Sequence, residues 1–235
     1  MRGLFTALGF LTILRLPCAS FRGTAAPGAF AWVGLLIGAG LALVHWLSPP
    51  AIAPFVMVLY LVVITGALHL DGLCDSADAL FSHRDRERKL EIMRDVHAGT
   101  MGVVAIVLVL GAKGLAFAQL QNYAVLFLIP ALARFGMAVA MQCLPYARSE
   151  GLAKPFYGAS YRGLLFPGAV LVARSFWMLP TTLFLVLMGV FVLFLGLALW
   201  WYKRIIGGGT GDMLGALCEV CEVVLLLAAV VVLEW

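Results

Sequence analysis

The chain has 235 residues, 63% of them hydrophobic and only 12% charged, with a mean hydropathy of +1.04. An ordinary soluble domain carries about 25% charged residues, and a core able to hide this much apolar surface needs a far larger chain. The composition therefore excludes a soluble globular domain, a disordered segment and a collagen-like fibre, and makes lipid the solvent for most side chains. The net charge of +4 is modest and its Lys and Arg residues lie scattered among apolar runs, which excludes a nucleic-acid footprint.

Taken in chain order, the stretch Leu4–Leu14 is too short to cross a bilayer, and Arg15 and Pro17 spoil it as a signal-peptide cleavage region. It reads as an interfacial or re-entrant helix. A spanning helix needs about 20 mainly apolar residues, and six runs meet this: 28–47, 51–70, 101–120, 124–144, 181–202 and 213–234. A shorter seventh, 163–179, holds Arg174. The expected fold is an all-α integral membrane protein of six to seven transmembrane helices, one polytopic domain over residues 1–235.

With the N-terminus inside, thirteen of the sixteen Lys and Arg residues fall in cytoplasmic segments, as the positive-inside rule requires. Eleven of the twelve acidic residues, all but Glu234, share that side. Chemistry is therefore expected in the cytoplasmic loops 71–100, 145–162 and 203–212 of a multi-pass protein of the cell (inner) membrane. The five cysteines (Cys18, Cys74, Cys143, Cys218, Cys221) form no framework and read as reduced; the Cys218–Cys221 pair lies in an apolar run with no second ligand pair.

Three constellations carry chemistry. In the first, His69-Leu-Asp71-Gly-Leu-Cys-Asp75-Ser-Ala-Asp78, a continuing helix sets Asp71, Asp75 and Asp78 within about 60° on one face. Three carboxylates that close repel one another, and an oxygen-only donor set suits a hard cation such as Mg²⁺, shared with substrate phosphates. The alternative is a solvated acidic patch.

The second runs from Arg84 to Gly102. Its first part reads as a salt-bridged surface helix, while Arg94, Asp95 and His97, beside the glycines at 99 and 102, are candidates for a site. The third is Gly207-Gly208-Gly209-Thr210-Gly211-Asp212 before the last span. Backbone amides here suit a phosphate, although no P-loop Lys follows; Asp212 is either a site residue or an N-cap. Glu219 and Glu222 follow on roughly the same face, and inside a span they need a polar cavity or a cation. Lys113 and Arg134, deep in the third and fourth spans, either neutralise those glutamates or hold substrate phosphates. These parts suit a membrane enzyme that binds a diphosphate and transfers it to an alcohol.

The sequence resembles the cobalamin synthase family, the adenosylcobinamide-GDP ribazoletransferases. The matching blocks are HLDGLCDSAD at 69–78, LEIMRD at 90–95, GTMG at 99–102, YARSEGL at 146–152 and GGGTGDMLGALCEVCE at 207–222, and the likeness runs from LRLP at 14–17 to the last span. The resemblance implies a Mg²⁺-dependent membrane enzyme in which the hydroxyl of α-ribazole, or of its 5′-phosphate, attacks the phosphorus attached to cobinamide and GMP leaves. It implies that Asp71, Asp75 and Asp78 hold metal and that Asp95, Arg148, Thr210, Asp212, Glu219 and Glu222 belong to the site. Asp95 and Asp212 are the expected proton acceptors. His69, Arg94, His97, Lys113, Arg134, Arg148, Gly208, Thr210, Glu219 and Glu222 are the expected substrate contacts. Other corrinoid-pathway enzymes are further expected partners.

The chain departs from the family pattern at Leu14, Ala79, Val96 and His97; His97 stands where an arginine is expected and carries charge only near or below pH 6.5. Two alternatives stand beside this reading. A CDP-alcohol-type phosphotransferase needs an Ala-Arg pair and a longer acidic spacing that do not follow Asp71-Gly72 here; a small cation or corrinoid transporter needs acidic residues near the bilayer midplane and an access route from the outer face, where the loops of this chain are nearly bare.

Overall fold

The structure, a computed structural model, describes residues 2–14 and 23–234, the Arg2 side chain excepted. Arg15, Pro17 and Cys18, and with them most of the LRLP block, lie outside the described residues. The described residues form ten α-helices and no strand: α1 (Arg2–Leu11), α2 (Phe30–Leu47), α3 (Ala53–Thr65), α4 (Leu68–Leu80), α5 (Arg86–Ile92), α6 (Thr100–Gln119), α7 (Tyr123–Cys143), α8 (Arg162–Met178), α9 (Thr181–Ile205) and α10 (Gly211–Glu234). Short 3-10 turns at Gly23–Ala25, Pro27–Ala29 and Lys154–Phe156 complete them.

Five segments among the described residues are long and apolar enough to cross a membrane, the first running Gly23–Leu47 into α2 and the others being α6, α7, α9 and α10. They end close to where the apolar runs end. The expected span 51–70 is different. Gly66 and Ala67 both take left-handed backbone angles, and the chain turns through 90° between α3 and α4. Hydropathy continues through the bend and so hides it. The expected span 163–179 is α8, at 17 residues shorter than the five spans.

α7 is buried along most of its length, packed on α2 on one side and on α10 on the other. Outer faces carry Phe55, Leu108, Leu115, Trp177 and Leu193, all exposed in the isolated chain and so turned to lipid. α10 is the structural axis, touching α4, α6, α7 and α9. The described cysteines, Cys74, Cys143, Cys218 and Cys221, are all free thiols.

Candidate active site

The site is built where α4 crosses the first turn of α10. A side chain on Gly72 would sit 2.7 Å from the Asp212 carbonyl oxygen and 2.9 Å from its Cα, so only glycine lets the α4 backbone lie directly on α10. This contact sets Asp71 and Asp75, one turn apart on α4, beside Asp212. The expectation of a helix through all three aspartates is met, since α4 runs from Leu68 to Leu80.

Asp78 does something its spacing alone does not reveal. Its two carboxylate oxygens accept from the backbone N–H of Gly99 (2.7 Å) and of Gly102 (2.9 Å), at the N-terminus of α6. A carboxylate there satisfies orphan amides and complements the helix dipole. Asp78 therefore ties α6 to α4.

At the start of α10, Thr210 is fully buried and its Oγ1 accepts from Met213 N at 3.2 Å. The cap is thus Thr210, in place of the alternative that Asp212 caps. Asp212 is left free to pair with Arg148, Nη2 to Oδ2 at 2.7 Å. Gly208 is buried; Gly209 N donates to Pro145 O and Ala147 N to Gly209 O, stitching the glycine turn to the segment that carries Tyr146 and Arg148. Two of the three glycine amides are thereby occupied, Gly207 N by Lys203 O and Gly209 N by Pro145 O.

These elements line a cavity of about 240 Å³. Its lining combines polar side chains, His69, Asp71, Arg148 and Asp212, with apolar ones, Phe10, Met137, Leu152 and Leu214. His69 is buried and neither ring nitrogen has a hydrogen-bond partner. The Nε of Arg148 is likewise buried without a partner, and buried polar groups left unmatched inside a cavity are the ones a ligand satisfies. Burial pushes the Tyr146 hydroxyl above its ordinary pKa, with Arg148 opposing, so at neutral pH this cavity-lining phenol is a donor. Phe10, Met137, Tyr146, Leu152 and Leu214 were not singled out in the sequence: apolar and aromatic residues in a chain this hydrophobic carry no distinguishing signal.

Asp75 feels the negative charges of Asp71, Asp212 and Asp78 against the single positive charge of Arg148. That excess of carboxylate is the observation against which a cation can be tested. Among the described residues no three His, Cys, Asp or Glu side chains are drawn together as a closed cage. Mg²⁺ ordinarily keeps several waters and relies on one or two carboxylates plus substrate phosphates, and the oxygen donors of Asp71 and Asp75 fit that mode.

The remaining expected residues lie elsewhere. Lys113 Nζ pairs with Glu219 Oε2 (2.7 Å) and Glu222 Oε2 (2.5 Å), and Arg134 Nη1 pairs with Glu222 Oε1. All four are buried, cross-linking α6, α7 and α10 inside the bundle. Of the two uses open to Lys113 and Arg134, the structure displays mutual neutralisation. Arg94, Asp95 and His97 are exposed beyond α5, outside the cavity lining. Asp95 Oδ1 accepts from His97 Nδ1 (2.7 Å) and His97 N (3.0 Å). Lys89, expected in a salt-bridged helix on the membrane surface, is buried instead, and its ammonium donates to the Ala79 (3.0 Å), Leu80 (3.2 Å) and Ser82 carbonyls at and just past the end of α4.

Fold and cavity together define a polytopic helical membrane protein with a carboxylate-rich site between its helix ends. Comparison with known proteins makes this specific. The sequence pattern of the family described as cobalamin-5-phosphate synthase matches residues 3–230. A protein of Klebsiella pneumoniae named adenosylcobinamide-GDP ribazoletransferase is 37% identical over 97% of this chain and 99% of its own length. Proteins of the same name from Desulfitobacterium hafniense (34%, over 97% of this chain and 96% of its own) and Escherichia coli (39%, over 85% of each) are similar to it too. No solved structure matches. The chain belongs to the cobalamin-5-phosphate synthase family, and it is a transferase of cobalamin synthesis.

Proposed function

We propose that the protein completes the nucleotide loop of cobalamin: adenosylcobinamide-GDP and α-ribazole, or its 5′-phosphate, give adenosylcobalamin, or its 5′-phosphate, and GMP. The observation that carries this reading is the Gly72 crossing, which brings Asp71 and the Arg148–Asp212 pair into one cavity, with Asp75 one turn along α4 within reach of their charges. The names of the similar proteins supply the donor and the acceptor.

Phosphoryl transfer needs positioning and charge neutralisation more than covalent chemistry. Mg²⁺, when bound by Asp71 and Asp75 together with the diphosphate, supplies neutralisation of the charge on the leaving GMP. Asp78 is kept out of that set in this reading because both its oxygens are engaged by Gly99 and Gly102. Arg148 offers its unmatched Nε to the diphosphate oxygens. The acceptor hydroxyl forms the new P–O bond, the bond from that phosphorus to the bridging oxygen of GMP breaks, and the hydroxyl proton passes to the Asp212 carboxylate. Asp212 is preferred over Asp95 because Asp212 lines the cavity. The basic end of the bundle then faces the cytosol, in the inner membrane of a bacterium.

The experiment uses purified protein in lipid nanodiscs, with GMP and cobalamin formation followed by chromatography with and without Mg²⁺. The expected result is Mg²⁺-dependent GMP release that falls on the order of a thousandfold in Asp75→Asn. Undiminished GMP release by that variant would overturn the site; no corrinoid product from folded wild-type protein with either acceptor would overturn the reaction.

A further inference from the structure

The helix that carries Asp212 has a second cavity on its other face. Gly211, Asp212, Leu214 and Gly215 of α10 line the active-site cavity, whereas Ala216, Leu217 and Val220 line an open groove of about 330 Å³ shared with Phe194, Leu197, Trp200 and Trp201 of α9. The groove exists because small residues, Ala198 and Ala216, stand where the two helices approach. Beside it, Tyr202 locks the pair by donating to the Met213 carbonyl at 3.0 Å. Its walls are apolar, and it opens outward between two membrane-spanning helices.

The end of the groove is charged. Lys203 and Arg204, in the last turn of α9, are exposed and have no ion-pair partner among the described residues. The Arg204 guanidinium lies 5.7 Å from the centre of the Trp200 ring, which holds it at the mouth of the groove. Tryptophan and basic residues together at a helix end mark the headgroup level of a bilayer, and this is the basic end, where the positive-inside rule locates the leaflet richer in anionic lipid. Apolar groove, aromatic collar and two free cations follow one another along α9 in the order that acyl chain, glycerol region and phosphate follow one another in a phospholipid.

We propose that the α9–α10 groove binds one anionic phospholipid, its acyl chain against Ala198, Ala216 and Val220 and its headgroup phosphate on Lys203 and Arg204. Bound there, the lipid buttresses the first turns of α10 from the side opposite the cavity. Trp201 of the groove wall in turn meets Phe81, just past the end of α4, with ring centres 6.2 Å apart and planes tilted by 50°.

The test reads binding alone and so is independent of the reaction proposed above. Protein in micelles doped with equal phosphatidylglycerol and phosphatidylcholine is released into a native mass spectrometer and its retained lipids are counted. Wild type is expected to retain one phosphatidylglycerol, preferred over phosphatidylcholine on the order of tenfold, the effect of two cations at a membrane surface. Lys203→Gln/Arg204→Gln should lose the preference, and Ala198→Phe, which fills the groove with both cations intact, should lose the retained lipid. Circular dichroism and gel filtration on each variant confirm that it is folded. Equal retention of the two lipids by wild type, a preference that survives either variant, or a lipid-free pair of chains seated on this face would each overturn the proposal.

Discussion

α10 contributes acids to two regions that use them in opposite ways. At its first turn Asp212 meets Asp71 and Asp75 with one arginine between them. Two turns deeper, Glu219 and Glu222 meet Lys113 and Arg134, charge for charge, in a shell sealed from solvent. Buried charges persist in a bilayer only when matched, so the deep cluster is complete in itself. The shallow one carries an excess of negative charge that calls for a ligand. The lesson is that charge inside a membrane protein marks function where it is unbalanced and architecture where it is balanced.

The sharpest way to break this contrast is to unbalance the deep cluster. Arg134→Met leaves Glu222 with a single partner, and breaking a buried pair costs about 3–5 kcal/mol. Thermal unfolding in mild detergent should register that loss, while turnover per folded molecule stays close to wild type. The double variant Arg134→Met/Glu222→Gln restores neutrality around Lys113 and Glu219 and should recover most of the stability. A double variant as unstable as the single one would refute charge balance as the cause.

Arg148→Lys probes the shallow cluster with the reverse expectation. The charge is kept but the planar fork is lost, so unfolding should move little while kcat falls by about a hundredfold, the scale of removing one transition-state donor. A variant that loses stability and keeps kcat would exchange the roles assigned to the two clusters.

Outside both clusters, at the C-terminal end of α4, Lys89 acts through that helix. Removing its ammonium in Lys89→Met takes the charged donor from the Leu80 carbonyl and leaves the Ala79 carbonyl with Ser82 alone, a loss of about 1.5–3 kcal/mol for hydrogen bonds to a charged group. Because α4 carries Asp71 and Asp75, the KM for Mg²⁺ should rise more than kcat falls, and Lys89→Arg should restore both in part. Loss of stability with no change in the KM for Mg²⁺ would confine Lys89 to the fold.

Most of this was open to a reading of residues, and what was hidden has physical causes. Apolar runs located α2, α6, α7, α9 and α10 because length and hydropathy are what a bilayer selects. The 51–70 run misled because Thr65–Leu70 stays apolar through a bend that only the left-handed Gly66 and Ala67 create. The spacing of Asp71, Asp75 and Asp78 correctly placed them on one helix, yet spacing is blind to partners, and Asp78 faces two amides of α6. Lys89 lies in a run of alternating charges that reads as a salt-bridged surface helix, and nothing local tells its ammonium from those of its neighbours. Thr210 and Asp212 are both good caps by type; the hydrogen bond from Met213 N to Thr210 Oγ1 decides between them.

The smallest expected effect lies outside both clusters, at the Asp95–His97 turn. The hydrogen bonds from the His97 ring and backbone hold the Asp95 carboxyl below the usual carboxylate range. A depressed folded-state pKa means that the turn's contribution is fully present above the ordinary value of about 3.9 and is lost only as the pH falls through the lowered one. Asp95 is exposed and the turn lies off the cavity, so hydrogen exchange across residues 93–99 should be constant between about pH 5 and 6, below the range in which a histidine ring ordinarily loses its charge, once corrected for intrinsic rates. Asp95→Asn should loosen the same residues at neutral pH and change turnover by less than about threefold, whereas Asp212→Asn should abolish it. A large loss in Asp95→Asn with Asp212→Asn active would move the proton acceptor to the α5–α6 turn, requiring that turn to close over the cavity when substrate binds. The contrast between a matched and an unmatched cluster would then need a third, mobile carboxylate on the unmatched side.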